Sequence, residues 1–338
     1  MGIKNMRNWV QNIIKSNERI AIPIMTNPGI ELTQKTVLKA VTDGYVHFEA
    51  VKTLSEKFPS AACTVIMDLT VEAEAFGASV NFSDNEIPSV TGRLVSDLES
   101  IEELSIPDMT KARIPVFLTA NKLLAENIKN KPVFGGCIGP FSLAGRLFDM
   151  SELMMACYTD PEIAELLLKK ITQFLTDYCL ALKKTGVNGV IIAEPAAGLL
   201  SNDFCSEFSS KYIKSVINSV QDDYFMVIFH NCGNAGNCNA AMFETDAMAF
   251  HFGNKIDMTA VLKESPKEKL SMGNIDPVTV LKLSNSDEVY FQTLDLLKKT
   301  SEFPNFVLST GCDVPPNTPI ANITAFYQAL QDYNITKN

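Results

Sequence analysis

The amino-acid sequence predicts an α/β fold, a (β/α)8 TIM barrel that uses the whole chain. Eight short apolar runs alternate with longer stretches of helical periodicity between Ile20 and Tyr333, and this is the element count of such a barrel. Polar side chains follow several of these runs directly, where barrels carry their active sites. A doubly wound open sheet is the alternative, but it usually carries a glycine-rich phosphate loop. The chain contains neither G-x-G-x-x-G nor G-x-x-x-x-G-K-[ST].

The predicted strands are β-branched and apolar runs that end at a polar residue or a turn signal. The first ends at an N-P-G turn, the second at Asp68 and the fourth at Glu194. The fifth opens into a loop with His230, and the eighth into a loop with Cys312. In chain order the eight strands comprise residues 20–25, 61–67, 132–138, 189–193, 225–229, 247–252, 270–273 and 306–309.

Helical periodicity fills the intervals between these runs. The clearest helix begins with Asp160 as N-cap and Pro161 at the first helical position, and it ends at Gly186. The helix 6–15 precedes the first strand, so we expect a single barrel domain, 1–338, with an N-terminal helical extension. The other predicted helices are 33–42, 45–58, a helical region that starts at 95–101, 120–128, 151–157, 202–219, 257–263, 286–300 and 319–333.

The composition narrows the class of protein. No apolar run reaches about 18 residues, so no membrane-spanning helix is expected, and the polar N-terminus does not resemble a secretory signal. The net charge of −10 disfavours nucleic acid as the main partner, because phosphate binding needs a surplus of Lys and Arg. Eight cysteines are too few for a disulfide scaffold. We therefore expect reduced thiols and a cytoplasmic protein.

Five chemically capable residues lie at the C-terminal ends of predicted strands: Asp68, Glu194, His230, Cys232 and Cys312. In a barrel these ends converge on one mouth, so residues that are far apart in sequence become neighbours. The barrel prediction therefore also predicts that these side chains surround one site.

A metal site is the first hypothesis for this mouth. His230 and Cys232 are alternate residues of one tight loop, and Gly233 would permit the positive φ that such a bend often needs. With Cys312 they form an N/S/S set that suits Zn²⁺ and leaves one coordination position open, as in catalytic zinc sites. Cys238 is the competing ligand. Without a metal, His230 would be a polar residue of the mouth and Cys312 a buried thiol.

Three further residues are candidates for catalytic roles. Glu194 could fill the fourth zinc position, orient a substrate or cap the next helix. Asp68 could cap a helix or act in the mouth, where an unpaired carboxylate is costly to desolvate. His251, at the end of the sixth predicted strand, could donate to a substrate or support a ligand. His47 lies in a helical pattern and is expected to be structural.

Six motifs, which together span most of the chain, carry a family resemblance. They are M-D-L-T-V-E-A-E-A-F-G (67–77), G-P-F-S-L-A-G (139–145), A-E-P-A-A (193–197), F-H-N-C-G (229–233), G-N-I-D-P (273–277) and G-C-D-V-P-P-N-T-P (311–319). The chain resembles the uroporphyrinogen decarboxylase superfamily, and within it the methylcobamide:coenzyme M, corrinoid-dependent, methyltransferase branch.

The resemblance implies a (β/α)8 barrel with zinc held by His230, Cys232 and Cys312. It implies methyl transfer from a methylated corrinoid, carried on a separate corrinoid-binding protein, to a small thiol such as coenzyme M. Glu194 would occupy the open zinc position until the thiol displaces it, and Asp68 would help to position the reactants together with His251.

Two other functions stay open. The decarboxylases of the superfamily carry an arginine-rich segment, R-Q-A-G-R, after the first strand, whereas residues 25–30 contain no arginine. A porphyrinogen with eight carboxylates would be poorly bound without those arginines. Decarboxylation with Asp68 as the key carboxylate is nevertheless an alternative. A non-catalytic barrel that binds a corrinoid or tetrapyrrole is another.

Overall fold

A computed structural model describes residues 4–337 of the chain. Seven strands form one parallel sheet in the order β1-β4-β5-β6-β7-β8-β9, and β2 pairs with β3 in a separate antiparallel hairpin. The strands are β1 (Cys63–Thr64), β2 (Ser79–Asn81), β3 (Ser89–Thr91), β4 (Val133–Ile138), β5 (Gly189–Ala193), β6 (Met226–Asn231), β7 (Ala249–Phe252), β8 (Leu270–Ile275) and β9 (Phe306–Thr310).

Helices connect the parallel strands, because a parallel pair needs a long crossover connection. They are α1 (Met6–Lys15), α2 (Asn27–Leu32), α3 (Val37–Thr42), α4 (Gly44–Lys57), α5 (Val71–Phe76), α6 (Leu98–Glu103), α7 (Ile114–Asn127), α8 (Pro140–Phe148), α9 (Met150–Thr159), α10 (Pro161–Lys184), α11 (Asn202–Cys205), α12 (Lys211–Val220), α13 (Asn239–Phe243), α14 (Met258–Glu264), α15 (Ser286–Lys299) and α16 (Ile320–Lys337). A 3₁₀ helix covers Pro195–Leu199, and π-helical turns cover Ser206–Ser210 and Pro277–Lys282.

The first predicted strand closes the barrel, but less regularly than the others. Ala21 forms a parallel bridge with Leu308 of β9, and the Ile22 amide donates to the Leu308 carbonyl at 2.9 Å. On the other side, the Ala61 amide donates to the Ala21 carbonyl at 2.9 Å. The ladder stops at Pro23, which has no amide hydrogen to donate. The TIM-like α/β barrel prediction is confirmed, with seven regular strands and this segment between β1 and β9.

The barrel interior is a separate apolar cluster below the mouth. Trp9 of α1 packs against Phe134 of β4, with 5.9 Å between ring centroids, and the Met6 amide donates to the Asp223 carbonyl at 2.6 Å. Helix α1 thus covers the N-terminal end of the barrel. The buried members of the cluster are Met6, Val10, Ile22, Ile24, Ala62, Phe134, Ile191, Met226, Ile228, Met248, Ala249, Leu270, Met272 and Val307.

One local prediction was wrong. The N-P-G signal after the first strand starts helix α2 rather than a simple turn, because Pro28 suits an early helical position. The predicted helix 202–219 is present as a continuous helical segment, in which a π-helical turn separates α11 from α12. Among residues 4–337, no helix combines the length and apolarity needed to cross a membrane.

His47 is a structural histidine, as expected. It is fully buried in α4, its Nε2 accepts from the Ile66 amide at 3.2 Å, and its ring meets Phe117 edge-on at 5.0 Å. Burial lowers the pKa of His47 to about 3. The folded state therefore keeps this imidazole neutral at pH values where the unfolded chain protonates it.

This burial predicts a pH-dependent loss of stability. Because the folded-state pKa lies below the unfolded value, the His47 contribution is complete above pH 6.5 and declines as the pH falls toward 3. We expect about 2 kcal/mol less free energy of unfolding at pH 5 than at pH 6.5 from this residue. In urea titrations, the free energy of unfolding should fall more steeply with decreasing pH in wild type than in His47→Gln. Parallel pH profiles of the two proteins would contradict the assignment.

Candidate metal centre

One histidine and two cysteines meet at the barrel mouth. His230 lies at the end of β6 and Cys232 directly after it, while Cys312 follows β9. Their ligand atoms all lie within 4.8 Å of one another, and 4.0 Å separates Cys312 Sγ from His230 Nε2. In the described part of the chain, no other group of three or more His, Cys, Asp or Glu side chains is arranged to hold a metal.

The donor set fits zinc. Zn–N bonds of about 2.0–2.1 Å and Zn–S bonds of about 2.3 Å place neighbouring donors of a tetrahedral site about 3.5–3.8 Å apart. The three side chains are therefore almost at coordination distance. His230 is buried, whereas Cys232 and Cys312 are partly exposed. The three residues could thus hold an ion from below and leave its solvent side free.

The two thiols influence each other. A hydrogen bond between them, with Cys312 as donor and the Cys232 thiolate as acceptor, lowers the pKa of Cys232. The same hydrogen bond raises the pKa of Cys312 above its ordinary value. The pair therefore loses one proton readily and the second with difficulty. A divalent cation would remove this obstacle, because two thiolates can then share its charge.

The loop after β6, which carries Cys232, is held by packing and hydrogen bonds rather than by unusual backbone angles. Asn231 Oδ1 accepts from the Gly233 and Asn234 amides at 3.1 and 3.0 Å, which turns the chain after β6. Gly233 is not among the glycines with positive φ, so the predicted reason for it was wrong. A Cβ at Gly233 would lie 2.1 Å from the Pro195 carbonyl oxygen. The glycine is needed because the two loops touch.

A chain of hydrogen bonds runs from the candidate ligand into the barrel. His230 Nδ1 lies 2.7 Å from His251 Nδ1, and His251 Nε2 lies 2.7 Å from Ser309 Oγ. The Ser309 hydroxyl donates to the Ile22 carbonyl at 2.7 Å. Burial, reinforced by the neighbouring His230, lowers the pKa of His251 well below its usual value. His251 is completely buried and lies beneath the ligand rather than facing the open mouth.

Glu194 lies beside the cluster but is engaged elsewhere. Its carboxylate accepts from the Phe141 and Ser142 amides at 2.9 and 2.5 Å, at the start of α8. Its own amide donates to the His230 carbonyl at 2.8 Å. Burial raises the pKa of Glu194 to about 7. Glu194 makes no side-chain cap to the helical turn that follows it, which was the predicted alternative, but caps the earlier helix α8 instead. Its oxygens are not part of the three-residue group.

Asp68 belongs to a buried ion-pair network. Its carboxylate pairs with Arg113 and accepts from the Thr70 amide and hydroxyl at 3.0 and 2.7 Å. Arg113 also donates to Glu74 at 2.6 Å. The side chains of Asp68 and Arg113 are 0% and 7% exposed, so each buried charge is stabilised by the other. Asp68 is therefore a fully paired carboxylate rather than a free one.

Several polar residues at or below the mouth were not predicted from the sequence. Arg113 and Ser309 lie in segments without any motif signal. Glu72 was inside a quoted motif but was not singled out, although an acid in an apolar helical turn is a signal. It is buried, accepts from the Ile138 amide at 3.0 Å, and burial raises its pKa to about 7. Cys238, the competing ligand, is buried and lies outside the group, with its Sγ 3.4 Å from the Ala197 carbonyl.

The comparisons with known proteins agree with this architecture. Residues 19–333 match the family model described as uroporphyrinogen decarboxylase (URO-D). The chain belongs to the URO-D family. A methyltransferase from Methanosarcina mazei has the same fold, with a TM-score of 0.88 and 21% identity over 97% of this chain and 98% of that one.

Curated URO-D relatives include two kinds of enzyme. The methylcobamide:CoM methyltransferase MtbA of Methanosarcina acetivorans is 26% identical over 92% of this chain and 94% of that protein. A uroporphyrinogen decarboxylase of Legionella pneumophila is 25% identical over 80% of this chain and 78% of that protein. Membership of the URO-D family is therefore compatible with either chemistry, and the residues of the mouth must distinguish them.

Proposed function

We propose that this protein is a zinc-dependent methyltransferase that moves a methyl group from a methylated corrinoid, carried on a separate corrinoid-binding protein, to a small thiol such as coenzyme M. The observation that carries the proposal is the convergence of His230, Cys232 and Cys312 within 4.8 Å. Similarity to MtbA over 92% of the chain supports the same reaction class.

His230, Cys232 and Cys312 would hold the zinc ion. When bound, zinc would supply Lewis acidity that lowers the pKa of an entering thiol, so that a thiolate nucleophile is available at neutral pH. In the transfer itself a sulfur–carbon bond forms and the cobalt–carbon bond breaks, leaving its electron pair on cobalt. The thiol proton is released before the transfer.

The protein itself would contribute to the reaction by positioning the acceptor thiol and the methyl donor. The partly exposed side of Cys232 and Cys312 admits the acceptor thiol, and the buried His230 closes the opposite side. The barrel holds all three on strand ends or the first residues after them, and rigid elements of this kind favour in-line alignment of the two reactants. Metal analysis of protein purified without chelators tests this arrangement. Less than about half an equivalent of zinc would count heavily against the proposal.

The proposed role of Glu194 as a fourth ligand stays a prediction. Its hydrogen bonds to the first turn of α8 make a different outcome more consistent with the geometry. We expect Glu194→Gln to change the zinc affinity of thiol-free protein by less than about 3-fold, because the carboxylate serves the helix. The free energy of unfolding should fall by about 1–2 kcal/mol through the weakened cap.

A matched capping variant makes this test specific. Asp43 caps α4 by accepting from the Tyr45 and Val46 amides, and it is not part of the three-residue group. Asp43→Ala removes this capping oxygen, so it should cost a similar stability and leave zinc binding unchanged. A drop in zinc affinity of 10-fold or more in Glu194→Gln alone, abolished when thiol is present, would establish Glu194 as the ligand that the thiol displaces.

Decarboxylation of a porphyrinogen is the second candidate, supported by the family model and by the Legionella relative. It requires Asp68 to act on substrate, but Arg113 and Thr70 already satisfy that carboxylate. Turnover of uroporphyrinogen by metal-free protein would establish this candidate. A protein that binds a corrinoid or tetrapyrrole tightly and converts neither would be the non-catalytic barrel.

A further inference from the structure

We propose that His251 and Ser309 are positioning residues that fix the ring of His230 in the tautomer whose Nε2 lone pair faces the two cysteines. This inference rests on the proposed zinc site. It concerns the residues that orient His230, not the ion that His230 would bind. Neither residue contacts the mouth directly, since both are completely buried.

The positions of the protons follow from the hydrogen-bond chain. Ser309 has a single hydroxyl proton, and its 2.7 Å contact with the Ile22 carbonyl requires that proton, because a carbonyl oxygen can only accept. Ser309 Oγ must then accept from His251, so His251 carries its proton on Nε2. His251 Nδ1 is therefore an acceptor, and the proton of the 2.7 Å contact belongs to His230 Nδ1.

The reverse arrangement leaves an unsatisfied contact. If His251 Nδ1 donated to His230, His251 Nε2 would have to accept from Ser309. The Ser309 and Ile22 oxygens would then face each other at 2.7 Å with no proton between them. In a buried site such an unpaired contact between two oxygens is destabilising, because neither has water as an alternative partner. The first arrangement satisfies every contact and leaves His230 Nε2 free, 4.0 Å from Cys312 Sγ.

The sheet topology explains how this chain of hydrogen bonds is anchored in the barrel. His230 and His251 are register partners on the adjacent strands β6 and β7, so their side chains project to the same side of the sheet. Ser309 lies on β9, and Ile22 belongs to the segment that closes the barrel. His230 is thus connected, through His251 and Ser309, to the segment that closes the barrel.

Removing the supporting hydroxyl should weaken metal binding. We expect Ser309→Ala to lower zinc affinity by about 10–100-fold, as is typical when the partner of a metal-ligating histidine is lost. His251→Phe should do the same or more. Ser309→Thr keeps the hydroxyl and should stay within about 3-fold of wild type. Competition with a chromophoric chelator measures these affinities without any assay of activity.

The control variant comes from the next residue of β9. The Thr310 hydroxyl bonds the Ile24 amide at 3.1 Å, so it also ties β9 to the closing segment, but it bonds neither histidine. Thr310→Val should leave zinc affinity unchanged. Equal losses in Thr310→Val and Ser309→Ala would overturn the proposal, since they would show a general effect of loosening the barrel. Unchanged affinity in both Ser309→Ala and His251→Phe would overturn it as well.

Nitrogen NMR of the wild-type protein tests the tautomers without any variant. The chain has three histidines, so a long-range ¹H–¹⁵N correlation spectrum of histidine-labelled protein is simple to assign. We expect the proton on Nδ1 in His230 and on Nε2 in His251, with or without zinc. The opposite pair of tautomers would refute the inference. Failure of wild type to bind zinc would instead refute the proposed function, and the NMR result would remain independent of it.

Discussion

Replacing any one of the three converging residues should abolish zinc retention. For His230→Ala, Cys232→Ser and Cys312→Ser we expect zinc affinity and the rate of thiol methylation to fall by more than about 100-fold, which exceeds the loss for a residue that only supports a ligand. Each variant leaves two donors, too few for a stable tetrahedral site. Metal content after gel filtration and the rate of methylcobalamin demethylation measure the two effects.

The competing cysteine supplies the control for this experiment. Cys238 is buried near the ligand loop, but it lies outside the group that could hold a metal. Cys238→Ser should therefore retain one equivalent of zinc and its rate of methyl transfer. Full zinc and full activity in Cys312→Ser, or loss of zinc in Cys238→Ser, would contradict the ligand assignment.

The second large effect concerns stability. Replacing Arg113 with methionine should lower the free energy of unfolding by about 3–5 kcal/mol, because Asp68 would remain charged, buried and without its partner. The double variant Asp68→Asn with Arg113→Met should recover part of this loss, since the fully buried charge of Asp68 is then gone and only the partly exposed Glu74 lacks its partner. Guanidinium unfolding of the single and double variants measures the difference.

An exposed ion pair provides the comparison. Lys122 and Glu126 on α7 are 4.0 Å apart and more than half exposed, so Lys122→Met should change stability by less than about 1 kcal/mol. A cost below about 1 kcal/mol for Arg113→Met would mean that the network is not a structural anchor. Asp68 would then regain its standing as a candidate for substrate chemistry.

The sequence was sufficient to predict the convergence of the three candidate metal ligands. Parallel strands of a barrel end at one mouth, so the positions of His230 and Cys312 after apolar runs predicted that they would meet. The same reasoning favours Cys312 over Cys238, because Cys312 follows a predicted strand, whereas Cys238 lies at the start of the next helical pattern. The missing arginines after the first strand made the porphyrinogen alternative less favourable.

Other features depend on contacts that no local pattern records. Arg113 reaches Asp68 across 45 positions of sequence, and nothing around it indicates a buried ion pair. Glu194 could have been a ligand or a cap, and only the placement of α8 gave it two amide donors. Ser309 is an ordinary strand residue until His251 is seen beside it. These are tertiary contacts between side chains, and strand and helix periodicity contain no information about them.

The most direct test of the proposed reaction is methyl transfer from methylcobalamin to a panel of small thiols, coenzyme M included, measured with zinc-loaded and chelator-treated protein. We expect loss of methylcobalamin and formation of one methyl thioether by the zinc-loaded protein, with activity lost on chelation and restored by zinc. Absence of any thioether from fully zinc-loaded protein, or an equal rate from metal-free protein, would contradict it.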